Sequence, residues 1–266
     1  MTNSRLLLLP LLLLSCVTSC TGKQGLPLEI DASTTRKVKE IVRKVVLPER
    51  LLPQDKRIQD ISAEFLGTPY QADTLKGSAQ QPEVLVANFN GVDCFTLLDY
   101  VQALSHSETL AGFTRQLAQV RYVDGNVSFL SRKHFFTDWY ATLPRNADDV
   151  TRSISAQAVT VEKQLNRKAD GGEFITGLGT LPRQITYIPA AAIDQQVLDT
   201  LRNGDYIGIY TPLAGLDVTH TGIVIKQDGQ VWYRNASSLA RNRKVVDSPL
   251  QAYMANKPGI VVLRAR

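Results

Sequence analysis

One interior cysteine, three histidines and one aspartate-glycine turn hold most of the chemistry this sequence could perform. Cys94 stands in "GVDCFTLLDY", residues 91–100, and the other two cysteines, Cys16 and Cys20, fall within the first twenty residues. A thiol on the first turn of a helix meets unpaired N–H groups and the positive end of the helix dipole. Both favour the thiolate, lower the thiol pKa and suit the group to nucleophilic attack. Asp93 can cap the same helix by accepting from its backbone amides. Its negative charge would oppose a thiolate, so it is assigned to positioning and not to proton transfer. A buried structural cysteine is the competing reading, and cysteine count alone does not choose between them.

A nucleophilic thiol needs a base. His106 follows Cys94 by twelve residues along one helix, which separates them by ~18 Å. His134, in "SRKHFFTDWY", can line a groove or simply pack. His220 opens the alternating run "HTGIVI". That run and "QVWYRNAS" are joined by Asp228-Gly229, a strong signal for a two-residue hairpin turn. Closing the turn there pairs Gln227 with Gln230, hence Gly222 with Asn235 and His220 with Ser237. His220 and Asn235 then share a sheet face as diagonal neighbours, ~7–8 Å apart by backbone and within side-chain reach. A slip of one residue would turn Asn235 to the other face. Asn235 can thus hold one imidazole nitrogen while the other faces Cys94, an arrangement of nucleophile, base and orienting group. Spacing alone favours the plainer alternative, a hairpin whose polar side chains merely face solvent.

These residues must be positioned by the surrounding elements. Residues 33–47 and 54–66 carry helical spacing, 94–105 form a strong helix, and 107–121 read as another, opening at Ser107 ahead of Glu108. From about residue 157 the pattern changes to short runs bounded by Gly, Pro, Asn and Asp. "VTVEKQLN", "RQITYIPA", "GDYIGIY", "HTGIVIK", "QVWYRN" and "GIVVLRA" read as strands, interrupted by helices at 194–202 and 249–255. Helices first and antiparallel strands later imply an α+β fold. The 266 residues are 44% hydrophobic and 21% charged, enough for a substantial core. The formal charge of +5 is spread along the chain with no basic block. That argues against nucleic acid as a partner and suits an anionic polymer.

The opening "MTNSRLLLLPLLLLSCVTSC" carries one positive charge, then an apolar run too short to span a bilayer, then small residues before a cysteine. Residues 1–19 read as a signal peptide. "VTSC" resembles the bacterial lipobox, which makes Cys20 the lipidated first residue, 20–32 a tether and 33–266 a single domain. Cys94 is then left without a disulfide partner in an exported protein.

"FLGTPYQADTL", "DCFTLLDYVQAL", "THTGIVI" and a polar residue one strand later together resemble the NlpC-type, papain-like cell-wall cysteine hydrolases. "SRKHFFTDWY" resembles the N-acetylmuramoyl-L-alanine amidase-like branch of that group. The resemblance runs from about residue 54 to the C-terminus. It implies a papain-like fold and a catalytic triad of Cys94, His220 and Asn235. It also implies that Tyr70, of "GTPY", lies beside the nucleophile, and that Arg132, His134 and Trp139 border the substrate groove; Asp93, next to the thiol, is counted as a substrate-binding position beside them. Two positions depart from the pattern. The third triad member in this branch is often histidine, and "QADTL" after Tyr70 replaces the glycine pair of the wider group.

The expectation is an exported lipoprotein that hydrolyses an amide bond of peptidoglycan or muropeptides, N-acetylmuramoyl–L-alanine in the first instance, through a cysteine nucleophile. No metal or cofactor is called for. A lipid on Cys20 would anchor the protein to a bacterial membrane. Thr21 and Gly22 lack the aspartate that retains many lipoproteins at the inner membrane, which favours the outer one. Two alternatives stand beside this reading: an endopeptidase cutting between D-glutamate and the diamino acid of the stem, and a muropeptide-binding lipoprotein without turnover.

Overall fold

The computed structural model describes residues 26–266. The signal peptide, Cys16 and Cys20 lie outside the described residues. Eight α-helices and ten strands are found among those described: β1 Leu28–Ile30, α1 Ala32–Ile41, α2 Gln54–Ala63, β2 Leu85–Ala87, α3 Cys94–Ser105, α4 Leu110–Arg121, α5 Asp138–Ala141, β3 Ala147–Asp149, α6 Thr151–Ile154, β4 Val159–Leu165, β5 Leu181–Pro189, α7 Gln195–Thr200, β6 Tyr206–Tyr210, β7 Val218–Gln227, β8 Gln230–Ala236, β9 Val245–Pro249, α8 Leu250–Met254 and β10 Gly259–Ala265. A π-helical turn, Val42–Val46, extends α1. The fold is α+β, with helices packed on a mostly antiparallel sheet. The large sheet runs β4-β5-β10-β6-β7-β8-β9, with β3 also paired to β10.

The central strands read as continuous apolar runs because both faces of the sheet are covered. On one face Tyr206, Ile223, Ile225, Val261 and Leu263 pack with Leu97, Leu98, Val101 and Leu104 of α3. On the other, Ile207, Ile209, Val224, Ile260 and Val262 meet Val197, Leu198, Leu250 and Met254. From Thr96 to Ser105 every residue of α3 is buried. Its polar positions are accordingly bonded, as burial demands. Asp99 accepts from Arg121 Nε at 2.7 Å. The Gln102 amide accepts from the Tyr206 hydroxyl at 2.7 Å and donates to the Asn146 carbonyl at 3.1 Å. This helix is held along its whole length, so its first turn has a fixed place.

Three boundaries differ from expectation. The helix expected from 107 begins at Leu110, because Thr109 accepts from the Gly112 amide at 2.9 Å. Ser107 cannot cap, since its hydroxyl donates back to the Ala103 carbonyl. Within the expected tether, Leu28–Ile30 pairs in parallel with Leu85–Ala87, and α1 begins at Ala32 with Asp31 as its cap. Finally, β9 lies outside the expected strands: "VVDSP" is short, as edge strands often are, and it pairs antiparallel with β8.

Candidate active site

The first turn of α3 is built by a capping box. Asp93 Oδ1 accepts from the Phe95 and Thr96 amides at 3.0 and 2.7 Å, while Thr96 Oγ1 accepts from the Asp93 amide at 3.0 Å. The Asp93 carboxylate is therefore turned to the helix and fixes the orientation of its neighbour. It also consumes two of the N–H groups that a helix start offers. The Cys94 amide has no hydrogen-bond partner among the described residues and is the donor left for an anion beside the thiol. On the other side, Thr221 Oγ1 donates to the Cys94 carbonyl at 2.9 Å, tying the start of β7 to the first turn of α3.

The thiol's electrostatics correct one expectation. The helix start should favour the thiolate, yet burial pushes Cys94 up to about 11, with the Asp93 carboxylate adding to the rise and the Thr221 amide opposing it. Desolvation of an anion outweighs the end of a single helix. Cys94 is consequently a neutral thiol at neutral pH.

The hairpin registers as its turn dictates. Gln227 pairs with Gln230 and Ile223 with Arg234, around Asp228-Gly229 with both residues at positive φ. Gly222 leaves room that no larger residue could, since a Cβ there would meet the Tyr233 ring at 2.4 Å. His220 Nε2 lies 3.0 Å from Asn235 Oδ1. Asn235 is itself fixed, because its Nδ2 donates to the Tyr233 carbonyl at 3.0 Å. Its oxygen must then face the imidazole, so Nε2 carries the proton and donates it. Nδ1 is left as the basic nitrogen. Burial pushes His220 below its ordinary value, while Asn235 pulls the other way, so the ring is neutral near pH 7. The Tyr253 ring stacks beside it, with centroids 6.3 Å apart.

Cys94 and His220 line one cavity of about 340 Å³, together with Phe95, His134, Phe174, Ile175 and Asp217 among others. His134 Nε2 donates to the Phe129 carbonyl at 2.8 Å, which leaves its Nδ1 unprotonated. Burial also holds His134 below the usual histidine value. Phe174 and Ile175 arrive from the loop between β4 and β5, and Asn166 pins them. Its Nδ2 donates to the Ile175 and Gly179 carbonyls, both at 2.9 Å, and its Oδ1 accepts from the Ile175 amide at 2.7 Å. Asp217 is buried and engaged, accepting from the Thr137 and Val218 amides at 2.8 Å each. Sequence reasoning missed Phe174, Ile175 and Asp217. Only Asp217 carried a signal, being an aspartate three residues before His220.

Two residues expected at the groove sit otherwise. Trp139 is fully buried, edge-on to Tyr206 with centroids 5.0 Å apart, and does not reach the cavity. Arg132 forks onto Glu83, with Nε 3.0 Å from Oε1, and lies over Phe129, so its guanidinium is committed to the scaffold. Tyr70 does not line the cavity but stands beside the segment that leads into Cys94. The Tyr70–Gln71 segment bridges to Val92, and burial followed by the Cys94 and Asp93 charges raises its hydroxyl above the ordinary tyrosine value. His106 caps the far end of α3, where its Nε2 accepts from the amides of Gln54 and Gln102.

A helix start thus delivers a thiol into a cavity shared with a histidine whose tautomer an asparagine sets, on an α+β frame. The sequence matches the N-acetylmuramoyl-L-alanine amidase-like family over residues 60–260, and the chain belongs to that family. An N-acetylmuramoyl-L-alanine amidase from Bacteroides uniformis is 30% identical over 80% of this chain and 99% of its own, with a TM-score of 0.68. A Bacteroides fragilis structure provisionally named a xylanase is 28% identical over 76% of this chain and 98% of its own, with a TM-score of 0.64. A Legionella pneumophila protein shares the fold, with a TM-score of 0.73 and 22% identity over 89% of this chain and 97% of its own. No curated protein matches the sequence.

Proposed function

We propose that this protein is a cysteine-dependent cell-wall amidase that hydrolyses the N-acetylmuramoyl–L-alanine bond of peptidoglycan or muropeptides, on a papain-like frame of the NlpC type. The observation that carries the reading is the His220–Asn235 bond, with its tautomer set, in the cavity that Cys94 lines. Membership of the amidase-like family supports the choice of scissile bond. The neutral resting pair means that the proton moves as the new bond forms. Cys94 Sγ adds to the carbonyl carbon while His220 Nδ1 takes the thiol proton. The Cys94 amide, helped by the Tyr70 hydroxyl, holds the oxyanion. Collapse breaks the C–N bond, and the imidazolium gives its proton to the leaving amine. Water, deprotonated by the same nitrogen, then attacks the thioester and releases the acid and the free thiol.

A glycosidase would need two carboxyl groups free to act across the scissile bond. Asp93 and Asp217, the carboxylates beside Cys94, are both spent on backbone amides, which supports amide over glycoside cleavage. The test is mass spectrometry of digested wall and of purified muropeptides. Free N-acetylmuramic acid with intact stem peptide is the expected product. Cleavage within the stem would instead assign an endopeptidase, and no product a binding protein.

The raised thiol and lowered imidazole set the pH behaviour. Below its pKa of about 11 the ionised fraction of Cys94 rises tenfold per pH unit. Alkylation by iodoacetamide should therefore climb from pH 7 through pH 10 without levelling. A plateau near neutrality would mean a preformed thiolate–imidazolium pair. The acid limb of kcat/KM should lie below the ordinary histidine value, because His220 must lose its proton to act as base and burial makes that easier.

Export as a lipoprotein is proposed from the lipobox. Palmitate labelling should be lost in Cys20→Ala and kept in Cys16→Ala, and the opposite pattern would reassign the mature N-terminus.

A further inference from the structure

The ground around Cys94 is electrostatically one-sided. Among the described residues no lysine or arginine lines its cavity, which is walled mainly by aromatic and aliphatic side chains and holds the Asp217 carboxyl. An anionic part of a substrate finds no partner there. Outside that cavity, the loop from β8 to β9 reads "SSLARNRK", and Arg241, Arg243 and Lys244 in it are exposed. None of the three forms an ion pair among the described residues.

This loop is fastened to the nucleophile's own surroundings. The Tyr70 amide donates to the Arg243 carbonyl at 2.9 Å, Pro69 bridges to Lys244, and the Val245 carbonyl accepts from Gly67 at 2.9 Å. Arg243 is held at φ +45, a left-handed conformation that an arginine adopts only where its surroundings over-determine it. Its guanidinium carbon stands 5.0 Å from the centre of the Tyr70 ring. A guanidinium stacked on an aromatic face keeps its in-plane N–H donors free at the edge, in the fork that matches a carboxylate. Tyr70 in turn bridges to Val92, two residues before Cys94.

We propose that Arg243, stacked on Tyr70, is a substrate-binding residue that takes a carboxylate of the stem peptide on the Tyr70 flank of the scissile amide, while the apolar cavity takes the uncharged part. The proposal rests on the amidase reading above. It makes substrate orientation a matter of charge: the carboxylate-bearing end is drawn to the arginine and excluded from the cavity.

The test compares two N-acetylmuramoyl-dipeptides that differ only in whether both glutamate carboxyl groups are free or both are amidated, at low salt. The wild-type protein should cleave the acid about tenfold better in kcat/KM, the worth of one exposed charge-assisted hydrogen bond. Arg243→Asn should bring the acid down to the amide's level and leave the amide's rate within about twofold; asparagine tolerates the left-handed backbone, so the loop is kept. Arg243→Lys should restore part of the preference. Lys56→Gln, an equal charge loss on α2 at the far end of α3, should change neither. Equal rates on both substrates, or an equal loss on both in Arg243→Asn, would overturn the proposal and leave the amidase reading intact. So would loss of the preference in Lys257→Gln in place of Arg243→Asn, because Lys257 stands over the Tyr253 ring at 5.5 Å and would then be the carboxylate's partner. Hydrolysis of neither substrate rejects the amidase reading and the proposal with it.

Discussion

Cys94→Ala and His220→Ala should each lower kcat/KM on a muropeptide by on the order of 10⁴-fold or more, with the fold intact by circular dichroism. The magnitude follows from what is removed. Without the thiol no thioester forms, and without the imidazole a thiol pushed up to about 11 has no acceptor for its proton at neutral pH. Neither substitution strips the core, because α3 is held by the buried residues that follow Cys94. The histidines discriminate further. His134 shares the cavity but donates Nε2–H to a backbone carbonyl, with no side chain to set its tautomer as Asn235 does for His220. His134→Ala should therefore raise KM more than it lowers kcat. His106→Ala should leave activity nearly unchanged, since it caps the opposite end of α3. An inactive His134→Ala beside an active His220→Ala would move the base to the other wall of the cavity.

Asn235→Ala should cost on the order of 10–10³-fold, less than loss of the base it orients. An orienting group acts through tautomer and geometry, and the wrong tautomer cost ~10⁴-fold in a serine-protease triad. Asn235 is buried and its amide is locked by the Tyr233 carbonyl. Removal frees Nε2–H from its acceptor and lets the proton settle on Nδ1, the nitrogen that must be bare. The loss should fall on kcat more than on KM. Asn235→His should retain more, since an imidazole nitrogen can also accept the hydrogen bond. Full activity in Asn235→Ala would mean that the tautomer is set by something else.

What was legible in advance was local. The Asp93 cap and the start of α3 at Cys94 depend on residues within one turn, and the β7–β8 register follows from the geometry of Asp228-Gly229. Those short-range rules put His220 and Asn235 on one face before any tertiary contact is known. The expected bond between them is present at 3.0 Å. The same logic set His106 aside, because a helix has a fixed rise.

What the chain could not disclose depends on segments distant in sequence. Trp139 and Arg132 carry side chains apt for a groove, and their neighbours in "SRKHFFTDWY" give no clue that one is sealed against Tyr206 and the other bound to Glu83. Phe174 and Ile175 sit in a glycine-rich loop whose composition suggests solvent, and only the Asn166 clasp brings them beside the thiol. The thiol's pKa turns on burial, a property of everything packed around Cys94, so the local helix argument gives the wrong sign. Caps and tight turns are set by neighbours along the chain, so the candidate nucleophile, base and orienting group and the two local structures that hold them follow from residue order. The tertiary structure alone decided the walls of the cavity, the protonation of the thiol and the stacking of Arg243 on Tyr70, because desolvation and long-range contact exist only once the chain has packed.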